Sequence, residues 1–144
     1  MKRFLFIFSI VSGLLFISCD IETSKNGDLD GYWHLVGVDT LSNSRQTDLS
    51  DQVVFWAFQA RMLQLRGTEQ ELYMRFQHEG DQLMLSDPHL RDREREDPEV
   101  TEEYMHFLYP YGINAKEERF NVLRLTGDEM VLQSADLRLR FCKQ

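Results

Sequence analysis

Residues 31–38 read Gly31-Tyr32-Trp33-His34-Leu35-Val36-Gly37-Val38, and a period of two in this stretch decides the fold. In an extended chain Trp33, Leu35 and Gly37 share one face, while Tyr32, His34, Val36 and Val38 share the other. The same rhythm returns downstream. Between Gln52 and Arg66 both faces are apolar through 53–58, with β-branched and aromatic residues ahead of a break near Gln59-Ala60-Arg61, which predicts two antiparallel strands. The span 71–78 alternates, with Leu72, Met74 and Phe76 inward and Tyr73, Arg75 and Gln77 outward. Glu79-Gly80-Asp81 then turns the chain back through 82–85, a hairpin signal. Strands at 119–125, 130–132 and 137–141 close the chain with short turns between them. In the first of these, Phe120 and Val122 give way to Leu123 and Leu125, a change of face that predicts a bulge.

Eight strands in up-and-down order fit a small closed antiparallel barrel, because closure removes the strand edges that would recruit other chains. The expected fold is therefore mostly β, with one short helix before the last three strands. Asp97-Pro98 has the character of a helix start. Val100, Tyr104, Phe107 and Leu108 form one apolar stripe, and Pro110 and Gly112 mark the stop. Residues 42–51 and 86–97 read as polar and charge-rich loops. An open sheet folded over the helix is the competing architecture.

Upstream, Lys2 and Arg3 precede an apolar run over residues 4–17, the layout of an export signal too short to span a bilayer comfortably. Phe16-Ile17-Ser18-Cys19 resembles the lipobox of bacterial lipoproteins. That resemblance implies a signal over 1–18, acylation of Cys19, and a polar tether over 19–30. An ordinary signal cut nearby and an N-terminal anchor helix are the alternatives. Removing 18 of the 144 residues leaves 126, one domain over 31–144, and losing Lys2 and Arg3 takes the net charge from −8 to −10. So acidic a surface disfavours nucleic acid and anionic headgroups, and membrane attachment falls to acyl chains.

Gly31-Tyr32-Trp33 resembles the Gly-x-Trp pattern of lipocalins and calycins. The domain as a whole is similar to the lipocalin-like domains of small bacterial lipoproteins, through Pro110-Tyr111-Gly112-Ile113, Phe120-Asn121-Val122, Met130-Val131-Leu132 and Leu137-Arg138-Leu139. In that family the Trp plugs the closed end and a basic residue of the last strand packs over it. The resemblance thus implies closure by Gly31 and Trp33 with Arg138 or Arg140 as the cation. Because the helix lies within the chain rather than after the barrel, ligand specificity is not carried over.

Little else carries chemistry. His34, His78, His89 and His106 lack a zinc-ligand spacing, the acidic residues lack a calcium loop, and no serine sits in a nucleophile elbow. Neither catalysis nor a cofactor is expected, and Cys142 reads as a small residue near a strand end. The aromatics are chiefly core. The sharper expectation is a cavity mouth lined by Trp56, Phe58, Tyr73, Tyr104 and Phe107, with His34 and Arg75 as polar groups. Two functions remain. One is a lipid-anchored module of a Gram-negative-type envelope that binds a small apolar or amphiphilic ligand or a partner protein. The other is a barrel filled by its own side chains that docks a partner. Palmitate labelling in the native host is expected to vanish in Cys19→Ala, and persistence of the label would refute acylation at this position.

Overall fold

The computed structural model describes residues 25–144; the signal, Cys19 and the tether up to residue 24 lie outside them. Nine strands follow in chain order: β1 (Gly31–Thr40), β2 (Arg45–Asp48), β3 (Phe55–Gln59), β4 (Met62–Arg66), β5 (Leu72–Glu79), β6 (Gln82–Leu90), β7 (Glu118–Leu125), β8 (Glu129–Gln133) and β9 (Leu137–Lys143). All pair antiparallel, in the order β2-β1-β3-β4-β5-β6-β7-β8-β9, and β1 pairs again with β9 to close the sheet on itself. The barrel is eight strands around, because β2 and β3 share one edge of β1. Gly31, Tyr32, Trp33 and His34 pair with β3, and Gly37, Val38, Asp39 and Thr40 pair with β2.

The short β2 falls inside the stretch expected to be a polar loop. Its four residues, Arg45-Gln46-Thr47-Asp48, are all exposed, so no apolar face announces it. It is a strand because the far half of β1 presents main-chain groups that the departing chain satisfies.

A bulge reshapes β1 as well. The pairing with β9 slips between Leu35 and Gly37, so that Leu35 faces Phe141 and Val38 faces Leu139. Gly37 therefore leaves the inner face expected for it and points outward, opposite Arg140. The Arg140 guanidinium crosses the strand there, and a Cβ at position 37 would collide with its Nη2. In β7 the slip falls between Val122 and Arg124. It pushes Leu123 out to 51% exposure and returns Leu125 toward the core.

The helical segment consists of two 3-10 turns, Glu102–Phe107 and Tyr109–Tyr111. It begins later than Asp97-Pro98 suggests. Main-chain bonds from Leu90 N to Pro98 O and from Val100 N to Pro88 O draw that stretch alongside β6 instead, and Thr101 takes the N-cap position. Met105, Leu108 and Tyr111 from these turns, with Val100 before them and Ile113 after, are buried. They close one end of the barrel.

The other end is closed by Trp33. Its ring is fully buried, its Nε1 donates to Leu29 O at 2.8 Å, and Leu29 is itself fully buried. The cation over the ring is Lys143, with Nζ 4.9 Å from the centroid, and neither Arg138 nor Arg140 occupies that place. Strand alternation is the reason. Lys143 shares the inner face with Leu139 and Phe141, whereas the two arginines face outward, Arg138 on Gln133 and Arg140 on Asp39. Lys143 also donates to Asp28 O at 2.9 Å, and its stem crosses Gly31, where φ is +126° and a Cβ would meet Cε at 2.8 Å. The glycine of Gly-x-Trp thus makes room for the lysine that covers the tryptophan.

Removing the indole in Trp33→Ala is expected to cost about 3–5 kcal/mol, the range for a buried tryptophan. Lys143→Ala should cost about 1 kcal/mol or less and Arg138→Ala within about 0.5 kcal/mol. Urea unfolding of the three variants checks the ranking.

Candidate functional site

A barrel of about eight strands holds either packed side chains or one small ligand in its interior. Trp56, from β3, stands in the middle of it. Its ring centroid lies 6.1 Å from Phe58, 5.8 Å from Phe120 and 5.0 Å from Phe141, and Phe58 meets Phe76 edge-on at 5.0 Å. Phe58, Phe76, Phe120 and Phe141 come from β3, β5, β7 and β9, so the rings span the barrel from wall to wall. Leu63, Leu65, Met74, Leu83, Leu85 and Leu132 fill the spaces around them, each with no exposed surface. The core is continuous from Leu29 at one end to Leu108 at the other.

The plug is tied down by polar contacts as well as packing. Trp56 Nε1 donates to Tyr111 O at 3.2 Å. The Tyr111 hydroxyl accepts from Thr68 Oγ1 at 2.8 Å and donates to Gln70 O at 3.2 Å, which fixes the plug to the β4–β5 connection. Lys143, Leu29 and Tyr111 are closure residues that no sequence motif marks. The spacing of Lys143 from Phe141 was a usable signal. The role of Tyr111 had none, since it depends on a contact across more than forty residues.

The residues expected at a cavity mouth do not converge on one. Trp56 and Phe58 are interior and adjacent. His34 lies on the outer wall, stacked at 4.9 Å on Phe55 with a ring nitrogen on Gln52 O. Tyr73 is also outside, stacked on His89 at 5.3 Å, and Arg75 beside it pairs with Asp87 at 3.5 Å. Tyr104 and Phe107 stack on each other at 6.2 Å in the plug. The parity of β1 and β5 accounts for the scatter: a strand whose odd or even residues build the core sends their neighbours out.

Hollows border the outer wall. One of about 520 Å³ lies beside Gly31, Tyr32, Ala57 and Ala60. A larger one, about 1260 Å³, runs between the β3–β4 turn and β5, bordered by Arg61, Met62, Arg75, Gln77 and Ser86. The outer-wall carboxylates work as structural clamps. Glu71 loses some solvation by burial, yet Arg91 and Arg66 together hold its carboxyl below the usual range. Glu118 is raised, chiefly by burial, against the pull of the Asn114 and Ala115 amides. Among the described residues no group of three metal-ligating side chains gathers, and Cys142 is an exposed free thiol on the outer face of β9.

A family model described as a lipocalin-like domain matches residues 14–144. The chain belongs to this lipocalin-like family. No curated protein matches it. A lipocalin-like protein from Bacteroides uniformis shares the fold at a TM-score of 0.60 and 19% identity, covering 82% of this chain and 100% of that one. An uncharacterized protein from Bacteroides eggerthii does so at 0.59 and 15%, covering 80% and 98%. This lipocalin-like barrel has a fold consistent with a module that binds a small molecule or a protein.

Burial pushes the Tyr111 hydroxyl above its ordinary 10.0, with the Thr68 hydrogen bonds pulling the other way. The folded chain therefore keeps this proton at pH values where the unfolded chain has released it, so stability falls as pH rises past 10.0. Tyr111→Phe is expected to cost about 1–3 kcal/mol at neutral pH, by stranding its partners, and to flatten that alkaline decline. Thermal unfolding between neutral and strongly alkaline pH measures both.

Proposed function

We propose that this lipocalin-like chain is a lipid-anchored module of the bacterial cell envelope that works from its outer surface, docking a partner protein, and that its barrel is filled by its own side chains. The observation that carries this reading is the ring cluster around Trp56. Rings in contact from four strands occupy the axis where a cargo would sit, and both ends are closed by buried side chains. A barrel of about eight strands has room for packed side chains or for one small ligand, and this sequence places its largest side chains inward.

The anchor in this reading is Cys19. Its support is the lipobox-like Phe16-Ile17-Ser18-Cys19 after the apolar run, and a family match that begins upstream of the cysteine, at residue 14. An acidic chain has no electrostatic attraction to anionic headgroups, so a membrane-bound life for it rests on acyl chains.

A small apolar ligand would have to displace the plug or the rings behind it. Native mass spectrometry of the mature chain, released from its own host's membranes, separates the two functions. The expected result is the mass of the acylated polypeptide alone. A reproducible small-molecule adduct, lost in Trp56→Ala, would refute the filled barrel.

A further inference from the structure

Asn26 and Gly27 adjoin where the chain enters the barrel, and the pair has a chemistry of its own. The side-chain carbonyl carbon of an asparagine is open to attack by the main-chain nitrogen of the next residue, and a side chain on that residue hinders the approach. The chain has four asparagines, of which Asn43, Asn114 and Asn121 are followed by Ser44, Ala115 and Val122. Asn26 alone precedes a glycine. Gly27 is exposed, and a Cβ built on it would meet nothing within 4 Å, so no neighbour crowds its nitrogen. Its φ of +58° is a conformation that glycine adopts at no steric cost.

The Asn26 amide is also a fastening. Its Nδ2 donates to Asp30 Oδ1 at 2.8 Å and to Ala60 O at 2.7 Å. The first bond spans the 3-10 turn Gly27–Leu29, whose main-chain bonds are long, at 3.2 and 3.3 Å. The second ties that turn to the connection between β3 and β4. Leu29, at the end of the turn, is buried, and its carbonyl accepts the Trp33 indole N–H. Both donors of the amide thus hold the cover of Trp33 in place, and both vanish if the amide becomes a carboxylate. A carboxylate at position 26 would face the Asp30 carboxylate and the Ala60 carbonyl, acceptors both. Lys143 is already engaged with Asp28 O and the Trp33 ring, and Lys25 is exposed.

We infer that Asn26 is a site of spontaneous deamidation, and that the reaction unfastens the Gly27–Leu29 turn from the barrel. The Gly27 nitrogen gives its proton to water and bonds to Asn26 Cγ, and the side-chain nitrogen leaves as ammonia. Water then opens the cyclic imide at either carbonyl. One opening gives aspartate. The other gives isoaspartate, in which the main chain runs through Cβ and is longer by that carbon. No electrons are exchanged, and water is the co-reactant. Both products carry a new negative charge, and isoaspartate also displaces the carbonyl that accepts from Leu29 N. Because both Nδ2 hydrogens are held, the reaction proceeds from molecules in which the turn has opened, and so short a turn opens more readily than the sheet. The change is one-way, so it records the age of the folded molecule at the pole where β1 begins.

The test incubates the mature chain at neutral pH and follows its intact mass and its proteolytic peptides. The expected result is the mass gain of an amide-to-acid exchange, mapped to Asn26 and divided between aspartate and isoaspartate. Gly27→Ala places a Cβ on the attacking residue and should abolish the gain. Asp30→Ala removes one restraint on the amide and should speed the reaction about fivefold, the weight of one hydrogen bond. Asn26→Asp reproduces one product directly. In that variant the Trp33 indole N–H should exchange with solvent about tenfold faster than in the unaltered protein, as its cover opens more often. Should Gly27→Ala fail to fold, Asn26→Gln decides the same point, because the longer side chain cannot close the same ring.

An unchanged mass, at a time when a free peptide of residues 25–30 has deamidated in the same buffer, would overturn the inference. So would a gain that maps to Asn43, Asn114 or Asn121 and spares Asn26, or one that persists in both Gly27→Ala and Asn26→Gln. Equal exchange of the Trp33 indole in Asn26→Asp and in the unaltered protein would overturn the unfastening.

Discussion

The pairing of β1 with β9 is the constraint on which the rest of the structure depends. An antiparallel sheet of short strands has two edges, and each is a row of main-chain donors and acceptors that water or another chain must satisfy. Here the first and last strands satisfy each other, with Trp33 opposite Lys143 and Leu35 opposite Phe141. That register sets which side chains face inward on both strands, since a slip of one residue would turn Leu139 and Phe141 to solvent. It also delivers Lys143 to the Trp33 ring and Arg140 to the space above Gly37. The seam is fastened on both faces, by a cation and an indole within and by Arg140 on Asp39 outside.

With closure fixed, the interior has a set volume, and large side chains take it up. Trp56 and the four phenylalanines around it make a solid centre, and the 3-10 plug adds Leu108, Tyr111 and Ile113 at one end. A wide barrel lined with small residues would leave space for a guest; this one resembles an ordinary hydrophobic core wrapped in sheet. In the wall around that core, β5 runs on to Glu79 beyond the last β4–β5 pair, Met62 and Arg75.

Much of this was legible in the sequence, for reasons that can be traced residue by residue. Alternation in 31–38 and 71–78 marks half-buried strands because each inward position must be apolar, and the Gly-x-Trp pattern names the closed end. The short strand β2 was not legible, since Arg45-Gln46-Thr47-Asp48 buries nothing and exists only because β1 offers it partners. The bulge at Val36 was hidden too, because a valine reads equally well on either face. The covering cation follows parity and not the family pattern: Arg138 and Arg140 alternate with Leu139 and Phe141, whereas Lys143 continues the inward row. The helical stripe was visible, but bonds to β6 hold 98–100 extended and leave only 3-10 turns after it. The cavity-mouth residues join the inward parity of β3, Trp56 and Phe58, to the outward parity of β1 and β5, His34, Tyr73 and Arg75, so a single wall could not bring them together.

Gly31 opens β1 and Lys143 ends β9, side by side at one pole, with Gln144 N bonded to Tyr32 O. Tension applied between the two termini would therefore peel β1 from β9 one rung after another, beginning at the Trp33 cap, instead of loading all rungs at once. A force transmitted between β5 and the N-terminus follows a different path, through the curved wall, and does not start at the seam. Where a protein of this shape is gripped would decide how much mechanical load it survives.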